Sequence, residues 1–110
     1  MKWYIAGPMT GLPDLNFPAF NRAAAILRAA GYEAINPAEI NPDGATPWQE
    51  CMFRDLRELD TCDGILMLRG WENSPGAQIE RLWAMRTGKT VMESTVLGCL
   101  ELLLMDEELT

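Results

Sequence analysis

Two kinds of hydrophobic pattern alternate along the chain. Short apolar runs stand at Trp3-Tyr4-Ile5-Ala6, at Tyr32 to Ile35, at Gly64-Ile65-Leu66-Met67-Leu68 and at Thr90-Val91-Met92. Turn-forming residues such as Gly7-Pro8, Asn36-Pro37, Asp63 and Gly70 punctuate them, and these runs predict β-strands. Between them, apolar residues recur at helical spacing. Phe20, Ala23, Ala24, Leu27 and Ala30 predict a helix capped by Asn16, with Pro18 in its first turn and Gly31 at its C′ position. Trp48, Met52, Leu56 and Leu59 predict a second, from near Pro47 to about Leu59. Ser74-Pro75 opens a third that ends at Gly88. Leu97, Leu100, Leu103 and Leu104 mark a last one from Thr95 to about Glu107. Ala38 to Thr46, with Pro42, Asp43 and Gly44, reads as loop.

The order is therefore β-α-β-α-β-α-β-α. Unbroken apolarity over residues 64–68 predicts a strand covered on both faces, as in a parallel sheet. The expected fold is a single α/β domain over residues 1–110: an open parallel sheet of about four to five strands with helices on both faces, flavodoxin- or Rossmann-like. Ligands of such sheets bind beyond the carboxyl ends of the strands. That directs attention to two loops, Gly7 to Asn16 and Arg69 to Gly76.

Composition narrows the chemistry. The chain has 110 residues, 48% hydrophobic and 23% charged, with a net charge of −7. An acidic protein is ill-suited to polymeric nucleic acid or to an anionic membrane. With no histidine, a Ser-His-Asp triad, a Cys-His dyad and a His-ligated metal are excluded. Three widely spaced cysteines, Cys51, Cys62 and Cys99, suit a reducing cytoplasm rather than a disulfide framework. The apolar run from Val96 to Met105 is broken by Glu101 and too short to span a bilayer. Neither a metal nor a cofactor is expected.

Carboxylates remain as the strong reactive groups. Asp55 borders the apolar stripe of its helix, where burial raises the proton affinity of a carboxylate. It is either a proton donor in a cleft or a boundary residue paired with Arg54, Arg57 or Arg69. Ser74, Gly76 and Ala77 open a helix with small residues, so that backbone amides and the helix dipole favour a negative group. Glu80, one turn further on, is expected to be kept ionised by that dipole, as a carboxylate nucleophile requires; the alternative is an exposed residue paired with Arg81 or Arg86. Tyr4 either packs in the core or directs its hydroxyl to a carboxylate in the cleft. Trp71 either stacks on a planar base or packs as a lid.

Together, Tyr4-Ile5-Ala6-Gly7-Pro8, the pair Asp55-Leu56 followed by Asp63, and Ser74-x-Gly76-Ala77-x-x-Glu80 resemble the nucleoside 2-deoxyribosyltransferase family, including its small phage and bacterial branch and its nucleotide N-glycosidase relatives. The resemblance implies that Glu80 attacks the anomeric carbon of a deoxynucleoside, that Tyr4 orients it, and that Asp55 recognises or protonates the base. It implies substrate contacts from Gly7, Pro8, Thr10, Gly11, Trp71, Ser74, Gly76 and Ala77. The transferases carry an aspartate where Ser74 stands. A serine there is similar to the hydrolase relatives, which hold a 5′-phosphate, and Thr10 and Gly11 would add phosphate contacts. The family often completes its site with a neighbouring subunit, which implies a homo-oligomer.

The function this resemblance implies is cleavage or transfer at the N-glycosidic bond of a small-molecule 2′-deoxyribonucleoside or its 5′-monophosphate, through a covalent glycosyl ester on Glu80. The rivals are a non-catalytic nucleotide-binding module and an interaction protein that uses the acidic end Asp106-Glu107-Glu108.

Overall fold

The computed structural model describes residues 1–42, 44–98 and 100. Four strands, β1 (Lys2–Ala6), β2 (Glu33–Ile35), β3 (Gly64–Met67) and β4 (Thr90–Glu93), form one sheet in the order β2-β1-β3-β4. Every neighbouring pair is parallel, and Tyr4 lies opposite Ile35 on one side and Ile65 on the other. This is the doubly wound order whose direction of winding reverses between β1 and β3. The helices are α1 (Phe17–Ala29), α2 (Pro37–Ile40), α3 (Trp48–Asp60) and α4 (Pro75–Arg86).

The pleat sorts the core into two layers. Trp3 and Ile5 of β1 and Leu66 of β3, with Leu68 just beyond it, pack with Phe20, Ala23, Ala24 and Leu27 of α1. Tyr4 and Ala6, with Ile65 and Met67, face the other way onto Leu59 of α3 and Ala77 and Ala84 of α4. Helices thus cover both faces, and β3 is buried at all four positions.

Two local expectations are corrected. Asn16 does not cap α1 with its side chain. Asp14, Leu15 and Asn16 are all left-handed, which turns the Asn16 amide back to donate to the Pro8 carbonyl at 2.9 Å. The segment after β2 is not all loop: the Asn36 side chain accepts the Ala38 N–H at 3.0 Å, and Pro37 starts the single turn of α2. Of the expected last helix, Thr95–Gly98 and Leu100 are helical. Its remainder, including Leu103, Leu104 and the acidic end Asp106-Glu107-Glu108, lies outside the described residues. Among the described residues no helix is long and apolar enough to cross a membrane.

Candidate functional site

A pocket of about 170 Å³ opens at the carboxyl end of β1, on the side covered by α3 and α4. Glu80, Asp55, Asn41, Ser74, Thr10 and Trp48 are among the residues lining it. Three elements distant in sequence deliver its reactive groups. Tyr4 comes from the middle of the sheet, Asp55 from the buried stripe of α3, and Glu80 from the buried face of α4. The Tyr4 hydroxyl donates to Glu80 Oε2. Asp55 interacts with the same hydroxyl, and its Oδ1 accepts from Asn41 Nδ2 at 3.1 Å. Arg54 donates to the amide oxygen of Asn41 at 3.3 Å and pairs with Glu50 at 3.0 Å. Asn41 is thereby oriented so that its N–H group faces Asp55.

Glu80 is 5% exposed and Asp55 8%, so the exposed alternative for Glu80 does not hold, while Arg54 reaches Asp55 by its charge and through Asn41. Burial pushes the Glu80 carboxyl up to about 8; the Tyr4 O–H pulls it down and the charge of Asp55 pushes it further up. Burial also lifts Asp55 to about 6, against the Asn41 and Tyr4 hydrogen bonds and the Arg54 charge. The Tyr4 hydroxyl itself is held well above its ordinary range, by burial first and by Glu80 and Asp55 next. The expectation that the helix dipole keeps Glu80 ionised is corrected. The dipole amounts to roughly half a charge at the first turn, while Glu80 is a turn inside and desolvated. All nine lysines and arginines lie within the described residues, and none lines this pocket. The pocket is therefore a coupled pair of carboxyls that holds a proton near neutral pH.

The substrate-binding expectations divide. Gly7, Thr10, Ser74, Gly76 and Ala77 line the pocket. Gly7 has no room for a side chain, since a Cβ there would stand 2.7 Å from Leu68 Cβ. Gly76 lets α4 approach α3, with Met52 Sδ 3.2 Å from where a Cβ would be. Ala77 serves both the pocket wall and the core. Ser74 spends its hydroxyl oxygen on the Ala77 N–H at 3.2 Å, as an N-cap. Its carbonyl takes the Gln78 N–H at 3.0 Å, and Pro75 has no N–H to offer. Of the first amides of α4 only that of Gly76 is left, so the expected anion cradle shrinks to one donor.

Pro8, Gly11 and Trp71 do not line the pocket. Pro8 is engaged by Asn16. Gly11 is exposed, in a left-handed turn with φ +83°. Trp71 donates to Glu93 at 3.3 Å and lies under the Arg81 guanidinium, 4.7 Å from its ring centroid, so its ring face is already taken. The sequence reading missed Asn41 and the apolar wall of Phe17, Phe20, Trp48 and Met52. Asn41 had one usable signal, an amide residue just after the Asn36-Pro37 turn. Phe20, Trp48 and Met52 stand in stripes that predict helix packing, and Phe17 stands outside them.

The structure is similar to that of the "2-desoxiribosyltransferase from Leishmania mexicana", with a TM-score of 0.66 over 84% of this chain at 23% identity. The chain spans 62% of that protein's length. The likeness establishes a shared fold, which is thus nucleoside 2-deoxyribosyltransferase-like. No curated protein matches the sequence. A family profile matches residues 1–93, all four strands of the sheet and every helix that frames the pocket, and the chain belongs to the family it describes, "Domain of unknown function (DUF4406)".

Proposed function

We propose that the protein breaks the N-glycosidic bond of a 2′-deoxyribonucleoside, handing the sugar to water or to a second base. In this reading Glu80, once ionised, attacks the anomeric carbon through a carboxylate oxygen. The carbon–nitrogen bond breaks, its electron pair leaves with the base, and the base takes the Asp55 proton. The glycosyl ester on Glu80 is then opened by water or a new base, which returns its proton to Asp55. Tyr4 orients the nucleophile by its hydrogen bond. The observation that carries the reading is the convergence of Tyr4, Asp55 and Glu80 in one pocket. At neutral pH the site holds one proton between its two carboxyls, resting on Glu80, and the reaction runs through the form in which that proton has moved to Asp55.

The charge inventory favours an uncharged nucleoside over its 5′-monophosphate. No lysine or arginine lines the pocket, and a phosphate would share a poorly solvated space with Asp55 and Glu80. The reaction is assigned to a single domain over residues 1–110 and, from three cysteines spaced too widely along the sequence for a disulfide framework, to a reducing cytoplasm.

One observation favours the rival, a non-catalytic nucleotide-binding module: a Glu80 carboxyl that keeps its proton recognises a ligand by hydrogen bonding instead of attacking it. Incubation with each deoxynucleoside and deoxynucleotide, followed by chromatography, separates the two. Released base that disappears in Glu80→Gln supports catalysis, and a new nucleoside formed after addition of a second base identifies transfer. Tight binding without release in the native protein supports the module and overturns the enzyme.

A further inference from the structure

A relay of hydrogen bonds runs from the surface of α3 into the pocket and ends on Asp55. Glu50 accepts from Arg54 Nη2 at 3.0 Å, Arg54 Nη1 donates to Asn41 Oδ1 at 3.3 Å, and Asn41 Nδ2 donates to Asp55 Oδ1 at 3.1 Å. Arg54 does not line the pocket, and its side chain is 46% exposed. Asn41 and Asp55 are buried. The backbone of Asn41 is tied as well, because its N–H donates to the Pro37 carbonyl at 3.0 Å where α2 ends.

Chemistry fixes the direction of this relay. A guanidinium donates and has no acceptor. The Asn41 amide therefore meets Arg54 only through its oxygen. Turned over, it would set N–H against N–H at Arg54 and oxygen against oxygen at an ionised Asp55. Glu50, one helical turn before Arg54, holds the far side of the guanidinium. An exposed pair of this kind adds little energy, so its part is to aim the fork. The amide is left with one orientation, in which it gives a hydrogen to Asp55 Oδ1.

That hydrogen makes the two oxygens of Asp55 unequal. An oxygen that already accepts an N–H is the poorer seat for a proton, so a proton on Asp55 sits on Oδ2. We propose that Arg54 is a positioning residue: through the Asn41 amide it keeps the Asp55 proton on Oδ2 and off Oδ1. The consequence for catalysis rests on the proposed base release, since an acid with its proton on one fixed oxygen offers it to the leaving base in one direction. An amide free to turn over would accept a proton from Oδ1 and divert the acid from the base. The other groups that face Asp55 are the Tyr4 hydroxyl from β1 and Glu80 from α4, with the Cys51 thiol of α3 in the same pocket.

Carbon-13 NMR titration of the Asp55 carboxyl in the full chain tests the relay without any turnover, with Asp55→Asn to assign the signal. Arg54→Met replaces a half-exposed side chain and should keep the native circular dichroism spectrum. It should raise the Asp55 midpoint by about half a unit or more, because the ionised carboxylate loses an oriented donor. The charge of Arg54 acting through space would raise it too, and the amide separates the two causes. In an Asn41→Ala background, Arg54→Met should produce less than half of that rise. No rise in Arg54→Met overturns the inference. So does an equal rise with and without the amide, because the guanidinium then acts by charge alone. In base release, Arg54→Met should lower kcat by about 10-fold with little change in KM, and its acid limb should follow the titration. A native protein that releases no base overturns the proposed cleavage, and the titration still decides the relay.

Discussion

Replacing Glu80 by glutamine should abolish turnover and yet make the fold more stable, increasingly so at alkaline pH. An unfolded glutamate releases its proton near its ordinary value of 4.5, whereas the buried native carboxyl keeps it up to about 8. The native state is thus penalised as pH rises through that window: the favourable protonated contribution is complete below about 4.5 and lost by about 8. Each unit is worth about 1.4 kcal/mol. The penalty is therefore about 3 kcal/mol at pH 7 and about 5 kcal/mol above pH 8. A glutamine carries no titration, its oxygen still accepts the Tyr4 hydrogen, and its N–H group faces the Asp55 side of the pocket. Asp55 titrates in both proteins and cancels to first order. Urea denaturation at pH 5 and at pH 8.5 reads the difference: under about 1 kcal/mol at the first and several kcal/mol at the second. A gap that does not widen between the two, or a variant less stable at both, would refute the claim that burial dominates the state of Glu80.

Other outcomes follow from the same geometry. The pH profile of kcat/KM for base release should be a bell with limbs near about 6 and about 8, because the productive form holds one proton between Asp55 and Glu80. Tyr4→Phe removes a donor that lowers the proton affinity of Glu80. Its alkaline limb should move upward and its maximal rate fall by roughly 10- to 100-fold, checked by the same profile. Asp55→Asn should cost about 10²- to 10⁴-fold with natural bases. It should recover most of that loss on nucleosides whose leaving group needs no proton, a comparison made by steady-state kinetics.

Much of this site could be read from residue order. Local pattern puts Tyr4 on a predicted strand, Asp55 on the edge of an apolar stripe and Glu80 one turn into a helix start, but leaves each open between core or surface and cleft; the family resemblance joins them in one site. What local pattern does not carry is competition. The resemblance gives the Ser74 hydroxyl to a phosphate, but the helix start uses it as its own cap. Pattern leaves Trp71 open between stacking on a base and packing as a lid, and only the fold shows that Arg81 and Glu93 claim its face and its N–H. The ionisation of Glu80 turns on its burial, a three-dimensional quantity that the dipole argument replaces with a single local effect. Asn41 escaped notice because its role depends on Asp55, fourteen residues away and on another helix.

The alternation of β1 has a consequence for how the protein can fail. Tyr4 points toward α4 only because it is paired with Ile35 and Ile65, while Trp3 and Ile5 point to the other layer. A slip of one residue in that pairing would exchange the two sets. Such a misassembled chain could keep its helices and much of its compactness while burying the phenol among the alanines of α1. Refolding yields judged by helix content would count these molecules as native, whereas titration of the Glu80 carboxyl, which responds to the phenol, would expose them.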